Sequence, residues 1–150
     1  MIILASQISY KITPVLATQE DEAAFEIKKV LEGTYHSLAL RDLETMMQYV
    51  SVNYSATVED GTVIDYTKFK ARTKEFMDRI FNKYTNYSIS DIKMFNLNIE
   101  DNKANVEMEY SWKGFNLDTL LEDSGKKRRA ATLVKENGLW KITQWRRLSD

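Results

Sequence analysis

Residues suited to burial recur at Ile27, Val30, Leu31, Thr34, Tyr35 and Leu38, the i, i+3, i+4, i+7, i+8, i+11 spacing of one helix face. A second, short helix is predicted from Asp42, whose carboxylate can cap it, with Leu43, Met46, Met47 and Val50 as its inner stripe. The period then changes to two. Val50, Val52, Tyr54, Ala56 and Val58 alternate with Ser51, Asn53, Ser55, Thr57 and Glu59, which predicts a half-buried strand ended by Asp60-Gly61. A third helix opens near Asp65, where Ile64 and Phe69 are spaced for a hydrophobic staple. Its buried stripe is Phe69, Thr73, Phe76, Met77, Ile80 and Tyr84.

The remainder reads as β-structure. Tyr87–Ile99 is one long strand, bulged near Met94-Phe95, where the apolar parity changes. Asp101-Asn102-Lys103 turns the chain, and Ala104, Val106, Met108, Tyr110 and Trp112 alternate on the return. Gly114 to Gly125 is expected to be a loop with one helical turn at Leu117–Leu121. Lys127–Lys135 and Leu139–Leu148 are strands joined by the hairpin signal Asn137-Gly138. The order α-α-β-α-β-β-β-β predicts an α+β cone, with helices packed on a curved antiparallel sheet around an internal pocket.

Composition narrows the chemistry. At 150 residues, 43% hydrophobic and 11% aromatic, the chain is one globular domain. The absence of Cys excludes thiol nucleophiles and thiolate metal sites, and a single His excludes any site that needs two imidazoles. No phosphate loop, dinucleotide fingerprint, nucleophile elbow or calcium loop is present, so neither a metal nor a cofactor is expected. The net charge of −1 conceals an asymmetry: residues 126–150 carry eight basic and two acidic side chains, net +6, against −7 for residues 1–125. Lys126-Lys127-Arg128-Arg129 reads as a solvated β edge that blocks edge-to-edge pairing or, alternatively, as a contact for an anionic ligand or an acidic partner, and it lacks the aromatic interleaving of a nucleic-acid groove.

Residues 1–19 read as an N-terminal arm or a signal-peptide remnant ahead of a domain at 20–150. Val15 and Ala17 fit a signal-peptidase site, but no basic segment precedes the apolar start and Lys11 interrupts it. Localisation stays open between cytoplasm and export. The apolar stretch Met1–Ala5 is far too short to span a membrane.

Three segments carry a family resemblance: Ala39-Leu40-Arg41-Asp42-Leu43-Glu44, Tyr54-Ser55-Ala56-Thr57-Val58-Glu59-Asp60-Gly61, and Leu133-Val134-Lys135-Glu136-Asn137-Gly138-Leu139-Trp140-Lys141-Ile142. With the element order, they resemble the nuclear transport factor 2-like superfamily, in its SnoaL-like and ketosteroid-isomerase-like branch. The resemblance implies the cone fold, a pocket at its mouth and a homodimer through the outer sheet face. It leaves activity open, because this fold hosts isomerases, dehydratases, cyclases, binders and association domains.

The isomerase pattern transfers only in part. Asp60 matches the general base, whereas Thr34 falls at the phenol position, with Tyr35 one residue along, and Thr132 falls at the acid position. Losing a placed oxyanion donor costs roughly 100- to 1000-fold in rate, so steroid isomerisation is not expected. Asp60 is therefore either an Asp-Gly turn carboxylate or a pocket base, the latter with a pKa raised by desolvation. His36 is a solvated surface residue or the acid/base partner of Asp60. Tyr54, Tyr110, Trp112 and Trp145 are core, pocket wall or outer-face aromatics.

The favoured expectation is a pocket for a small apolar or aromatic molecule without full catalytic machinery. One alternative is a carboxylate-based isomerase or lyase built on Asp60. The other is a homodimerising association module.

Overall fold

The computed structural model describes residues 18–150; the expected N-terminal arm or signal remnant lies almost entirely outside the described residues. Helix α1 (Gln19–Ala39) starts at a reciprocal cap, in which the Asp21 amide donates to the Thr18 hydroxyl (3.1 Å) and the Thr18 amide to the Asp21 carboxylate (3.2 Å). Its buried face is Ile27, Leu31, Thr34, Tyr35 and Leu38, joined by Ser37. Helix α2 (Leu43–Met47) is capped by Asp42, which accepts from the Thr45 amide, and buries Met46 and Met47. Helix α3 (Tyr66–Lys83) is capped by Asp65 and buries Thr73 and Met77, with Phe69 and Phe76 packed against the core.

Strands β3 (Tyr84–Glu100), β4 (Lys103–Asn116), β5 (Leu121–Glu136) and β6 (Leu139–Ser149) form one antiparallel sheet in the order β3-β4-β5-β6. Strands β1 (Ser55–Thr57) and β2 (Val63–Asp65) make a separate small hairpin that packs beside β6. Alternation along β4 and β5 sorts the sheet into two faces. Ala104, Val106, Met108, Tyr110, Ala131 and Leu133 are buried against the helices. Asn105, Glu107, Glu109, Ala130 and Thr132 lie on the opposite face. The fold is the expected α+β cone.

Four expectations need correction. The strand predicted over Val50–Glu59 shrinks to Ser55–Thr57, and Val52 is 76% exposed. Here the Ser51 amide donates to the Ile142 carbonyl (2.8 Å) and the Asn53 amide to the Ser51 hydroxyl (3.0 Å), which turns the chain before a strand can run. The hairpin partner β2 was too short to read from its pattern.

The expected loop from Gly114 to Gly125 is a continuation of β4 and β5 around a short turn. These glycines make room for rings instead of breaking strands. A Cβ on Gly114 would lie 3.0 Å from the Tyr84 ring, and one on Gly125 2.8 Å from Trp112 Nε1.

Strand β3 carries three register shifts, not one, between Thr85 and Ser88, Ser90 and Lys93, and Phe95 and Asn98. Each coincides with a left-handed residue, Asn86, Asp91 or Asn96, types that tolerate positive φ. Finally, the Lys126–Arg129 run is an edge only in its first half: Lys126 and Lys127 pair with β4 alone, whereas Arg128 and Arg129 are paired on both sides, with β4 and with β6.

Candidate functional site

The helix-facing side of the sheet gathers the aromatics. The Tyr35 ring lies 4.3 Å from that of Tyr110 and 5.4 Å from that of Trp145, while Tyr54 meets Phe69 at 4.5 Å. Farther along, Trp112 stacks on Tyr87 at 6.0 Å and meets Tyr84 edge-on at 5.5 Å. Tyr35, Tyr54 and Tyr110 are fully buried, whereas Trp112 and Trp145 are partly so. These rings pack against one another along this part of the cone.

Two phenols are electrically isolated. The hydroxyls of Tyr35 and Tyr87 are buried with no hydrogen-bond partner. Burial, then the neighbouring Tyr110, holds the Tyr35 pKa well above the ordinary phenol value. Burial pushes both Tyr54 and Tyr110 up to about 12. All of these groups are neutral donors at physiological pH.

The inner face also carries charge, from cations that the sequence reading took chiefly for a solvated edge. Register places Tyr110 opposite Lys127, Met108 opposite Arg129, and Arg129 opposite Arg147, one row from the pair Ala131–Trp145. Arg129 donates to the Ser149 carbonyl (2.9 Å) and pairs with the Asp150 carboxylate at 2.9 Å, which also pairs with Arg147. Lys127 sits over the Phe76 ring of α3 at 5.3 Å, with Arg79 on the same ring at 5.8 Å. The signal was present in the alternation: Lys127 and Arg129 share parity with the core residues Ala131 and Leu133.

The other predicted residues fall elsewhere. Thr34 is buried, but its hydroxyl donates to the Val30 carbonyl of its own helix (2.7 Å), so it offers no donor to a pocket. Thr132 lies on the outer face, where its hydroxyl donates to Asn105 (2.8 Å). It lines an open groove of about 1150 Å³ floored by Asn105, Glu107, Ala130 and Gln144 and walled by Ala56–Asp60.

Asp60 is exposed and accepts from the Thr62 amide (2.8 Å) in a turn closed by Gly61 at φ +86°. Those Thr62 hydrogen bonds hold its carboxyl below the usual range, the reverse of the shift expected of a desolvated base. His36 is exposed and shares a shallow recess of about 360 Å³ with Glu32, Gly33, Ile89 and Ile92. Asp60 and His36 are therefore set in separate recesses. Among the described residues no helix is long and apolar enough to cross a membrane.

No protein-family model matches the chain, and no curated protein does. Solved structures do match. A nuclear transport factor 2-like superfamily protein from Salmonella enterica serovar Typhimurium LT2 superposes with a TM-score of 0.66 at 15% identity, over 83% of this chain and 88% of that one. Aln2 from a Streptomyces species gives 0.67 at 12% identity, over 90% and 94%. A nuclear transport factor 2-like protein of unknown function from Shewanella oneidensis MR-1 gives 0.60 at 15%, over 82% and 96%. Helices on one face of a four-stranded antiparallel sheet, together with these superpositions, identify the architecture: the chain has the nuclear transport factor 2-like fold.

Proposed function

We propose that the protein is a binding domain for a small planar aromatic molecule, received against Tyr35, Tyr110 and Trp145 on the helix-facing side of the sheet. The observation that carries this reading is the Tyr35 hydroxyl, buried between two rings without a partner. A buried donor left unpaired costs about 1–3 kcal/mol, which a ligand oxygen or nitrogen would recover. Trp145 is the entry wall, since it is only partly buried and also lines the open groove of about 1150 Å³ from which a ring would approach. No proton-transfer step is assigned: Asp60 borders the open groove that Trp145 also lines, but its carboxylate is exposed and taken up by the Thr62 amide, and His36 lies in a separate recess.

The test is an NMR titration with benzamide, a neutral aromatic probe. Binding that shifts the resonances of Tyr35, Tyr110 and Trp145, and that Tyr35→Phe weakens, supports the proposal. Shifts confined to other surfaces would overturn it.

A second reading rests on the outer face. There β4 presents Glu107 and Glu109 beside Arg128 on β5 and Arg146 on β6, with Ala130 between Glu107 and Arg146 and Phe95 of β3 on the other side of Glu107. Such a face is self-complementary under a two-fold axis, the acidic strand of one copy meeting the basic strands of the other. Sedimentation velocity tests homodimer formation: a single monomeric species at all concentrations would end this reading.

A further inference from the structure

The inner face bears more positive charge than its neighbours neutralise. Lys127 and Arg129 of β5 share this face with Arg147 of β6 at its outer end, and the exposed Arg79 of α3 lies beside Phe76, the ring that Lys127 covers. Asp150 is the carboxylate that answers them, bound to Arg129 and Arg147 together. Neither Lys127 nor Arg79 has a carboxylate partner among the described residues. Burial lowers the Lys127 pKa, and the three guanidinium groups add to that effect against the pull of Asp150.

The cations of β5 and β6 share a sheet face with the aromatic cluster. Tyr35 touches Tyr110, which faces Lys127 across the ladder, and Trp145, which follows one row after Arg147 and Arg129. The Tyr35 ring therefore spans the row that holds Arg129. Its unpaired hydroxyl, together with that of Tyr87, is a donor on the same side of the sheet. A guanidinium fork and phenol donors beside flat rings are the complement of a carboxylate attached to an aromatic ring.

We infer that this is an anion site for an aryl carboxylate, occupied in this structure by the Asp150 side chain, which acts as an internal ligand that the aryl acid displaces. The inference rests on the aromatic-binding reading and adds the charge and the competitor. Arg129 anchors the carboxylate, because its side chain is 13% exposed and it already holds Asp150 at 2.9 Å. Arg147, at 70% exposure, is the outer jaw.

The test compares benzoate, benzamide and acetate on the wild-type chain, Asp150→Ala and Arg147→Gln by NMR titration. The side chains of Asp150 and Arg147 lie toward the surface, so both variants should fold. A charged hydrogen-bonded pair is expected to favour benzoate over benzamide by about tenfold in Asp150→Ala. Benzoate should also bind Asp150→Ala more tightly than wild type and Arg147→Gln more weakly. Equal affinity for benzoate and benzamide would overturn the anion site and leave the aromatic reading standing. Acetate binding as tightly as benzoate would overturn the aromatic reading and leave the anion site standing. Benzoate affinity unchanged by Asp150→Ala would remove Asp150 as competitor, and no binding to any chain would overturn both readings.

Discussion

The rings of Tyr35 on α1 and Tyr110 on β4 lie 4.3 Å apart at an angle of 44°, and this contact joins the long helix to the middle of the sheet. Only the Tyr35 ring contributes to stability, since its hydroxyl has no partner. Tyr35→Phe should therefore raise the unfolding free energy by about 1 kcal/mol, whereas Tyr35→Ala should lower it by roughly 3–5 kcal/mol. Urea denaturation measures both. A loss above about 1 kcal/mol in Tyr35→Phe would show that the hydroxyl is bonded in solution.

Alkaline titration reads the buried phenols directly. Burial raises the folded-state pKa of Tyr54 and Tyr110 to about 12, above the unfolded value of about 10. Their contribution to stability is therefore complete below about pH 10 and drains away as pH rises toward 12. Phenolate absorbance should show a late second stage near pH 12 from these two groups. In Tyr54→Phe and Tyr110→Phe the second stage should shrink. One smooth stage near pH 10 in the folded protein would contradict the burial of these groups.

Gly125→Ala should cost about 1–3 kcal/mol by overpacking, because the new Cβ would lie 2.8 Å from Trp112 Nε1. Gly61→Ala should also destabilise, for a different reason: it has nothing within 4 Å but holds φ at +86°. Only the first should perturb tryptophan fluorescence. Trimming Trp112 to Leu should cost less in the Gly125→Ala background than in wild type, a coupling that a double-mutant cycle measures.

Asp60 behaves as a turn residue in the proposed scheme. Asp60→Asn keeps an oxygen to accept the Thr62 amide and should leave benzamide affinity unchanged. Hydrogen bonds from Thr62 depress the folded-state pKa, so the stabilisation is present above the unfolded carboxylate pKa and is lost as pH falls through the folded value. Asp60→Ala should flatten the acid limb of a stability-against-pH curve. Loss of benzamide binding in Asp60→Asn would return Asp60 to the site.

On the outer face, Ala130→Glu sets a third acid beside Glu107, directly across the ladder. If two copies meet there, this change should shift sedimentation toward monomer and leave the circular dichroism spectrum unaltered. Salt should weaken the same association in wild type.

The helices were legible because each buries one stripe at a fixed spacing and two of them begin at a carboxylate that can cap them, Asp42 and Asp65; the Thr18 cap of α1 went unread. Strand β4 was equally plain, with five alternating apolar residues from Ala104 to Trp112. What misled were residues whose usual meaning tertiary contacts reverse. Gly114 and Gly125 signal loops, yet here they lie in strands beneath rings more than two residues away in sequence. Lys127 and Arg129 signal a solvated edge, yet β6 covers the strand at Arg129, whose guanidinium pairs with the Asp150 carboxylate, and Lys127 sits over the Phe76 ring. Tyr35, Tyr54, Tyr110 and Trp145 lie on the inner side, while Thr132 lies one residue out of phase with it, on the outer face.

The three shifts in β3 matter beyond its shape. A seventeen-residue strand at the border of a sheet offers a long row of unused amides and carbonyls to any passing chain. With left-handed residues at Asn86, Asp91 and Asn96, that row is cut into segments too short for an invading strand to extend along. The same irregularities that bend the sheet over its helices therefore guard the molecule against fibre-like assembly. Replacing those three residues with β-branched ones would remove that protection at the moment it straightened the strand.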